Sequence, residues 1–229
     1  MAKDNDPLQL TTIDTDANGA NLHELVYEAL AQALIEGRIP PSRSLSLRGL
    51  AALLHVSAMP VRGAVTRLMA EGALELQKTN NRLRVPILDP SRLEQLTTAR
   101  LWLEPELAAR AAVNADKALL DRLRRDDEAL MRALSLGDVA GYMKANQDFH
   151  FAIYEQSRSA LLMDMARSLW LKVGPFMRVV FGQLGTVQLP KDHHQDLINA
   201  MIANDEMAAR ASMRADISEG SELLAAALS

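Results

Sequence analysis

The chain has 229 residues, of which 48% are hydrophobic and 24% charged, and it contains no cysteine. It is long enough to bury a core unaided, while disulfide scaffolds, thiolate metal sites and cysteine nucleophiles are excluded. The net charge of −4 conceals an asymmetry: residues 1–37 sum to −6, residues 38–86 to +6 and residues 87–229 to −4. A compact cationic segment inside an acidic chain is a footprint of nucleic-acid contact. No apolar run of about 18 residues is present, so no membrane contact is expected. The N-terminus lacks the basic-then-apolar pattern of a secretory leader. Together with the missing cysteines, this places the expected protein in the cytoplasm.

Residues 1–20 are polar and aperiodic and read as a flexible arm. Asn21 is placed to cap a helix with apolar positions at Leu22, Leu25, Val26, Ala29, Leu30, Ala33 and Leu34, stopped by Gly37 and Pro40-Pro41. Leu47, Leu50, Ala51 and Leu54 give a short second helix. A tight turn at His55-Val56-Ser57 leads into a third over 58–71, with Pro60 in its first turn and Gly72 ending it. Two short runs, Ala73–Gln77 and Leu83–Ile87, flank a polar stretch and predict a β-hairpin with a basic tip. Helix, helix, turn, helix, hairpin over residues 21–88 is the order of a winged helix-turn-helix. In that arrangement Arg48 opens the helix before the turn, Arg62 lies one turn into the recognition helix, and Lys78, Arg82 and Arg84 sit at the wing.

Asp89-Pro90-Ser91 marks a boundary, after which residues 91–229 read as an all-α bundle of six or seven helices. Helices are expected near 91–113, 116–135, 138–157, 159–184, 190–203 and 205–227, with Pro105 kinking the first and Gly174-Pro175 bending or breaking the fourth. Asn146 and His150 are four apart and share a helix face. His194 precedes the buried stripe of Leu197, Ile198 and Met201, and Asp216 is an acid within the stripe of Ala209, Ser212, Met213 and Ile217. Spacing alone leaves two readings open: bonded structural histidines with a solvated acid, or a metal site.

The stretch from Leu25 to Val85 resembles the N-terminal domain of the GntR family of bacterial transcription regulators. The landmarks are Gly37-Arg38-Ile39-Pro40-Pro41, Leu50-Ala51, Val56-Ser57, Pro60-Val61-Arg62, Leu68 and Glu71-Gly72. The resemblance implies DNA contacts at Arg48, Ser57, Ala58, Met59, Arg62 and Arg82, with Lys78 on the wing. Ala58 and Met59 stand where the family usually has arginine and a small polar residue. Neither bonds a guanine, although both can meet a thymine methyl.

Three later stretches, ARLWLEPELAARAA, ANQDFHFAIYEQS and HHQDLINAMIANDEMAARASMRADI, resemble the effector-binding domain of the FadR-like branch. Many members of that branch hold a divalent metal with one aspartate and three histidines. Here those positions are Asn146, His150, His194 and Asp216, so one carboxylate is lost and another gained. Two nitrogens and two oxygens weaken a preference for zinc and favour Mn²⁺, Ni²⁺ or Fe²⁺. Arg100 matches a frequent arginine of the family. It reads either as an ion-pair partner of Glu104 four residues on or as an anchor for an effector carboxylate, with Arg178 as a second candidate.

These features predict a mainly α ligand-responsive transcription regulator. It is expected to bind a pseudo-palindromic double-stranded operator as a homodimer and to sense a small carboxylate-bearing metabolite. The alternatives are a metal-dependent enzyme, with two histidines and a carboxylate as in an oxygenase or hydrolase, and a regulator of a non-acid ligand without metal.

Overall fold

The structure is a computed structural model and describes residues 8, 10, 13, 22–41, 43–184 and 193–228. They divide into two compact units: Met1–Ile87 with Leu171–Phe176, and Leu88–Trp170 with Met177–Ser229.

In the first unit α1 spans Leu22–Ile35, α2 Leu47–Leu53 and α3 Ala58–Ala70. Gly37 and Gly72, which follow α1 and α3, have φ of +67° and +71°, a conformation that a side chain would strain. Ser46 caps α2 by accepting from the Gly49 amide. Ser57 occupies the same position before α3 with extended backbone, but its side chain makes no capping bond. Arg67 ties α3 to α1: it reaches Glu24 at 3.0 Å and Glu71 at 3.2 Å and lies 3.5 Å over the Tyr27 ring.

The hairpin is shorter than the sequence suggested. Strand β1 is Glu75–Leu76 and β2 is Leu83–Arg84, paired antiparallel. Ala73 and Leu74 instead donate their amides to the Leu68 carbonyl, closing α3, and Pro86 has no amide to offer. Leu45 exchanges both backbone bonds with Leu83, so the wing is stitched to the chain before α2. Of the expected N-terminal arm, Leu8, Leu10 and Ile13 are described, and Leu8 and Leu10 are buried. The rest of the arm and the expected cap Asn21 lie outside the described residues.

The second unit draws on six described helices: α4 Pro90–Val113, α5 Lys117–Leu136, α6 Val139–Gln156, α7 Ala160–Leu184 apart from its Leu171–Phe176 segment, α8 His193–Ala203 and α9 Glu206–Leu228. Asp89, Asp116 and Asp138 cap α4, α5 and α6 through their side chains. Asp205 accepts from the amides of Met207 and Ala208 at the start of α9. α4 packs against α9, α5 against α6 and α8 against α9.

Pro105 does not interrupt α4. The carbonyl it leaves without an amide, that of Leu101, accepts instead from the Arg214 guanidinium at 3.2 Å. Nor do Gly174 and Pro175 break α7, which keeps more than two turns on either side of the missing bond. Gly174 has its own constraint within the first unit: a Cβ there would overlap the Ile35 carbonyl oxygen and stand 2.8 Å from the Ile35 carbonyl carbon and Cα. The expected start of α8 at residue 190 lies outside the described residues. No helix among those described is long and apolar enough to cross a membrane.

Candidate functional site

In the first unit, the apolar side of α3, formed by Val61, Ala64, Val65 and Leu68, is buried, which turns its opposite side outward. Arg48, Ser57, Ala58, Met59, Arg62, Lys78 and Arg82 are all exposed, Met59 by 74%. Cations are abundant here, but several are engaged internally: Arg38 by Glu36, Arg67 by Glu24 and Glu71, and Arg84 by Glu75. Arg82 bonds Ser44 through both its side-chain oxygen and its carbonyl, which holds the wing arginine against the chain before α2.

In the second unit the polar residues of three helices meet. His150 on α6 is 1% exposed and His194 on α8 7%, an unusual depth for two imidazoles. Asp216 on α9 faces both: His150 Nε2 is 3.3 Å from its Oδ2 and His194 Nε2 is 3.6 Å from its Oδ1. The His194 ring stacks on Phe149 at 4.1 Å, and Trp170 lies 5.2 Å from His150. Withdrawal from water would raise the Asp216 carboxyl. The charge and hydrogen bond of His150, with His194 and Arg100, more than offset this and hold it well below the usual carboxylate range.

The donor atoms of His150, His194 and Asp216 lie within 4.8 Å of one another. Bonds near 2.1 Å set tetrahedral donors about 3.4 Å apart, so this set would close on a divalent ion only as its side chains draw in by up to about 1.4 Å. Asn146 is half-buried one turn before His150 on α6.

Arg100 is buried and bonds Glu104 through Nε at 2.6 Å and Nη2 at 3.0 Å, so the ion-pair reading of this residue is realised. Burial opposes its charge, and Glu104 more than compensates, raising the guanidinium above its ordinary value. Glu104 also accepts from the Tyr154 hydroxyl at 2.6 Å, and that oxygen stands 3.3 Å from His150 Nδ1. Arg178 is half-buried on α7. Sequence spacing gave no sign of Tyr154 or of Asp127, whose Oδ1 is 3.5 Å from His194 Nδ1. Tyr154 is four residues after His150 and could have been noticed as its neighbour on the helix, whereas Asp127 comes from a distant part of the chain.

Residues 22–80 match the family described as bacterial regulatory proteins, gntR family, and residues 95–219, more than half of the chain, match the FCD domain. The chain belongs to the GntR family. Over 187 residues it is 28% identical to the HTH-type transcriptional regulator McbR of Escherichia coli, covering 81% of this chain and 84% of McbR. It is 27% identical over 208 residues to the HTH-type transcriptional regulator LutR of Bacillus subtilis, covering 82% and 94%. The solved structure of E. coli McbR superposes with a TM-score of 0.84 at 26% identity, covering 91% of this chain and 99% of that one. This GntR protein is therefore a DNA-binding transcription regulator with a winged helix-turn-helix and a helical effector-binding domain. The enzyme alternative is set aside, because domains and relatives alike are those of regulators.

The exposed residues of α3 are the ones expected to meet the operator. Arg62→Ala should weaken operator binding by about 1–3 kcal/mol if the guanidinium grips a base edge, whereas a change at Lys78 should weaken all sequences alike and flatten the salt dependence. Fluorescence anisotropy on operator and random duplexes checks both; operator affinity unchanged in Arg62→Ala would remove that residue from the reading face.

Proposed function

We propose that this regulator senses a small organic acid at the polar site of its helical domain, and that a divalent metal held by His150, His194 and Asp216, with Asn146 beside them, presents the docking point. The observation that carries this reading is the convergence of both Nε2 atoms on the two oxygens of a single carboxylate. Neutral imidazoles, one carboxylate and one amide leave a divalent ion with net positive charge and, for a six-coordinate ion, open positions. The metal's contribution would be Lewis acidity toward an acid's oxygens. Arg100, whose charge reaches Asp216, and Arg178 are the proposed protein cations for the rest of the acid. The acid would shift the balance between two arrangements of the DNA-reading heads by binding one better than the other.

In this reading the protein works in the cytoplasm as a homodimer on a pseudo-palindromic operator, because one winged helix reads too few base pairs to select a site in a genome. Elemental analysis with native mass spectrometry of freshly purified protein tests metal, retained acid and dimer together. The His150→Ala, His194→Ala double variant should lose the metal and melt at a lower temperature. Metal content equal to wild type in that variant would place the ion elsewhere, and metal-free wild type would favour the ligand-only regulator.

A further inference from the structure

We infer that Asp127 is the positioning residue of the site: it fixes the His194 ring so that Nε2, and not Nδ1, is offered to the metal. This rests on the metal reading above. The observation is an orphan. Asp127 Oδ1, on α5, is buried and has no hydrogen-bond partner among the described residues, yet it stands 3.5 Å from His194 Nδ1. A buried carboxylate oxygen without a donor is costly, and structures retain one where it has a task.

The geometry of the ring separates the two carboxylates that flank it. On the Nε2 side Asp216 is shared with His150, and the three donors form one compact set. On the opposite side Asp127 faces His194 and stands outside that set. An ion on the shared side leaves Nδ1–H to donate outward, and Asp127 is the acceptor in its path. A carboxylate accepting that proton selects the tautomer, limits rotation of the ring and raises the basicity of the coordinating nitrogen. Phe149, stacked 4.1 Å from the ring with planes 14° apart, fixes the remaining freedom of the ring plane.

His150 is held in the parallel way by a neutral group. Its Nδ1 lies 3.3 Å from the Tyr154 hydroxyl, which donates its O–H to Glu104 at 2.6 Å and so keeps an oxygen lone pair for His150. Both imidazoles thus have an outer partner at Nδ1 and an inner target at Nε2. The two partners differ in charge, which gives Asp127 the larger share in tuning the ion.

The test uses the full chain stripped with chelator and titrated with Co²⁺, read by calorimetry and by visible absorption. Wild type should take up one ion per chain. Asp127→Leu should keep that stoichiometry with affinity lower by about 10–100-fold, the usual effect of removing an outer partner of a ligating histidine. Asp127→Asn, which keeps an acceptor oxygen without the charge, should fall between the two. In Zn²⁺-loaded protein, ¹H–¹⁵N correlation should show a protonated Nδ1 and a metal-shifted Nε2 at His194. In Asp127→Leu the Nδ1 proton should move upfield and exchange faster, with His150 unchanged. Circular dichroism checks folding, and if Asp127→Leu does not fold, Asp127→Ala takes its place. Wild-type affinity with an unchanged His194 Nδ1 proton in the folded variant overturns this inference and leaves the metal reading intact, as does Asp127→Asn binding more weakly than Asp127→Leu. Wild type that takes up no Co²⁺ overturns both.

Discussion

Arg100→Met should destabilise the protein by about 3–5 kcal/mol, the scale of leaving one member of a buried ion pair without its partner. Glu104 is 0% exposed, takes two hydrogen bonds from Arg100 and accepts a third from the Tyr154 hydroxyl. Removing the guanidinium leaves a carboxylate that is fully buried in the wild-type packing and has lost its cation. This loss far exceeds the about 0.3–0.5 kcal/mol of an exposed i,i+4 pair, because the pair here sits inside the bundle. Arg100→Met with Glu104→Leu removes both charges and should recover most of the stability, even though Tyr154 then loses its acceptor. Urea titrations of the wild type, the single variants and the double variant close the cycle. A single variant within about 1 kcal/mol of wild type would show that water or a shifted side chain replaces Arg100.

Gly174→Ala should also destabilise, against the ordinary expectation for a helix. In an exposed helix interior this change gains about 1 kcal/mol of propensity. At Gly174 the added methyl would occupy the space of the Ile35 carbonyl, a backbone group that cannot swing aside as a side chain can. Forcing atoms into a filled space costs about 1–3 kcal/mol, so the steric effect prevails and the net change is a loss. Gly63→Ala supplies the contrast. It lies on an exposed part of α3, and its Cβ would meet the ring of His23 at 2.9 Å, an exposed side chain that can move. That variant should melt no lower than wild type. Thermal melts of the two variants side by side decide the matter, and a Gly174→Ala protein more stable than wild type would show that the Ile35 backbone yields to the added methyl.

Much of the fold was legible because its signals are local. Gly37 and Gly72 follow α1 and α3 with positive φ, and Pro60 lies in the first turn of α3, where its missing amide costs little. Each depends on a few neighbouring residues, as periodicity does. Local signals do not show where a distant group answers them. Pro105 reads as a kink that leaves a carbonyl without its amide, and only the fold shows that Arg214, from α9, supplies the donor for Leu101. The hairpin reads as two longer strands until the Leu68 carbonyl takes the amides of Ala73 and Leu74.

The same limit governs the polar site. His150, His194 and Asp216 could be named from helical spacing and the family resemblance, because each lies on an inward stripe of its own helix. Their outer partners could not all be found in that way. Asp127 stands in the charged run Arg124-Arg125-Asp126-Asp127-Glu128, where nothing in the sequence sets it apart from a solvated neighbour. Only the packing of α5 against α8 brings it to the His194 ring.

The uncapped start of α3 has a consequence for how the free protein differs in time from the bound one. Ser46, Asp89, Asp116 and Asp138 each close the opening turn of a helix, whereas Ser57 leaves its own open, and Pro60 removes one amide that would otherwise need a partner. The amides of Ser57, Ala58 and Met59 at the positive end of the helix dipole are then suited to a phosphate oxygen, which would act as the missing cap. Off DNA this turn should fray on a fast timescale, with hydrogen exchange at Ala58 and Met59 quicker than at Val65 or Leu68. On the operator those two amides should slow markedly while the buried side of α3 changes little. Slowing of those amides on the operator would assign the first turn of α3 to the DNA face, and part of the ordering cost of that turn would then enter the affinity for every sequence alike.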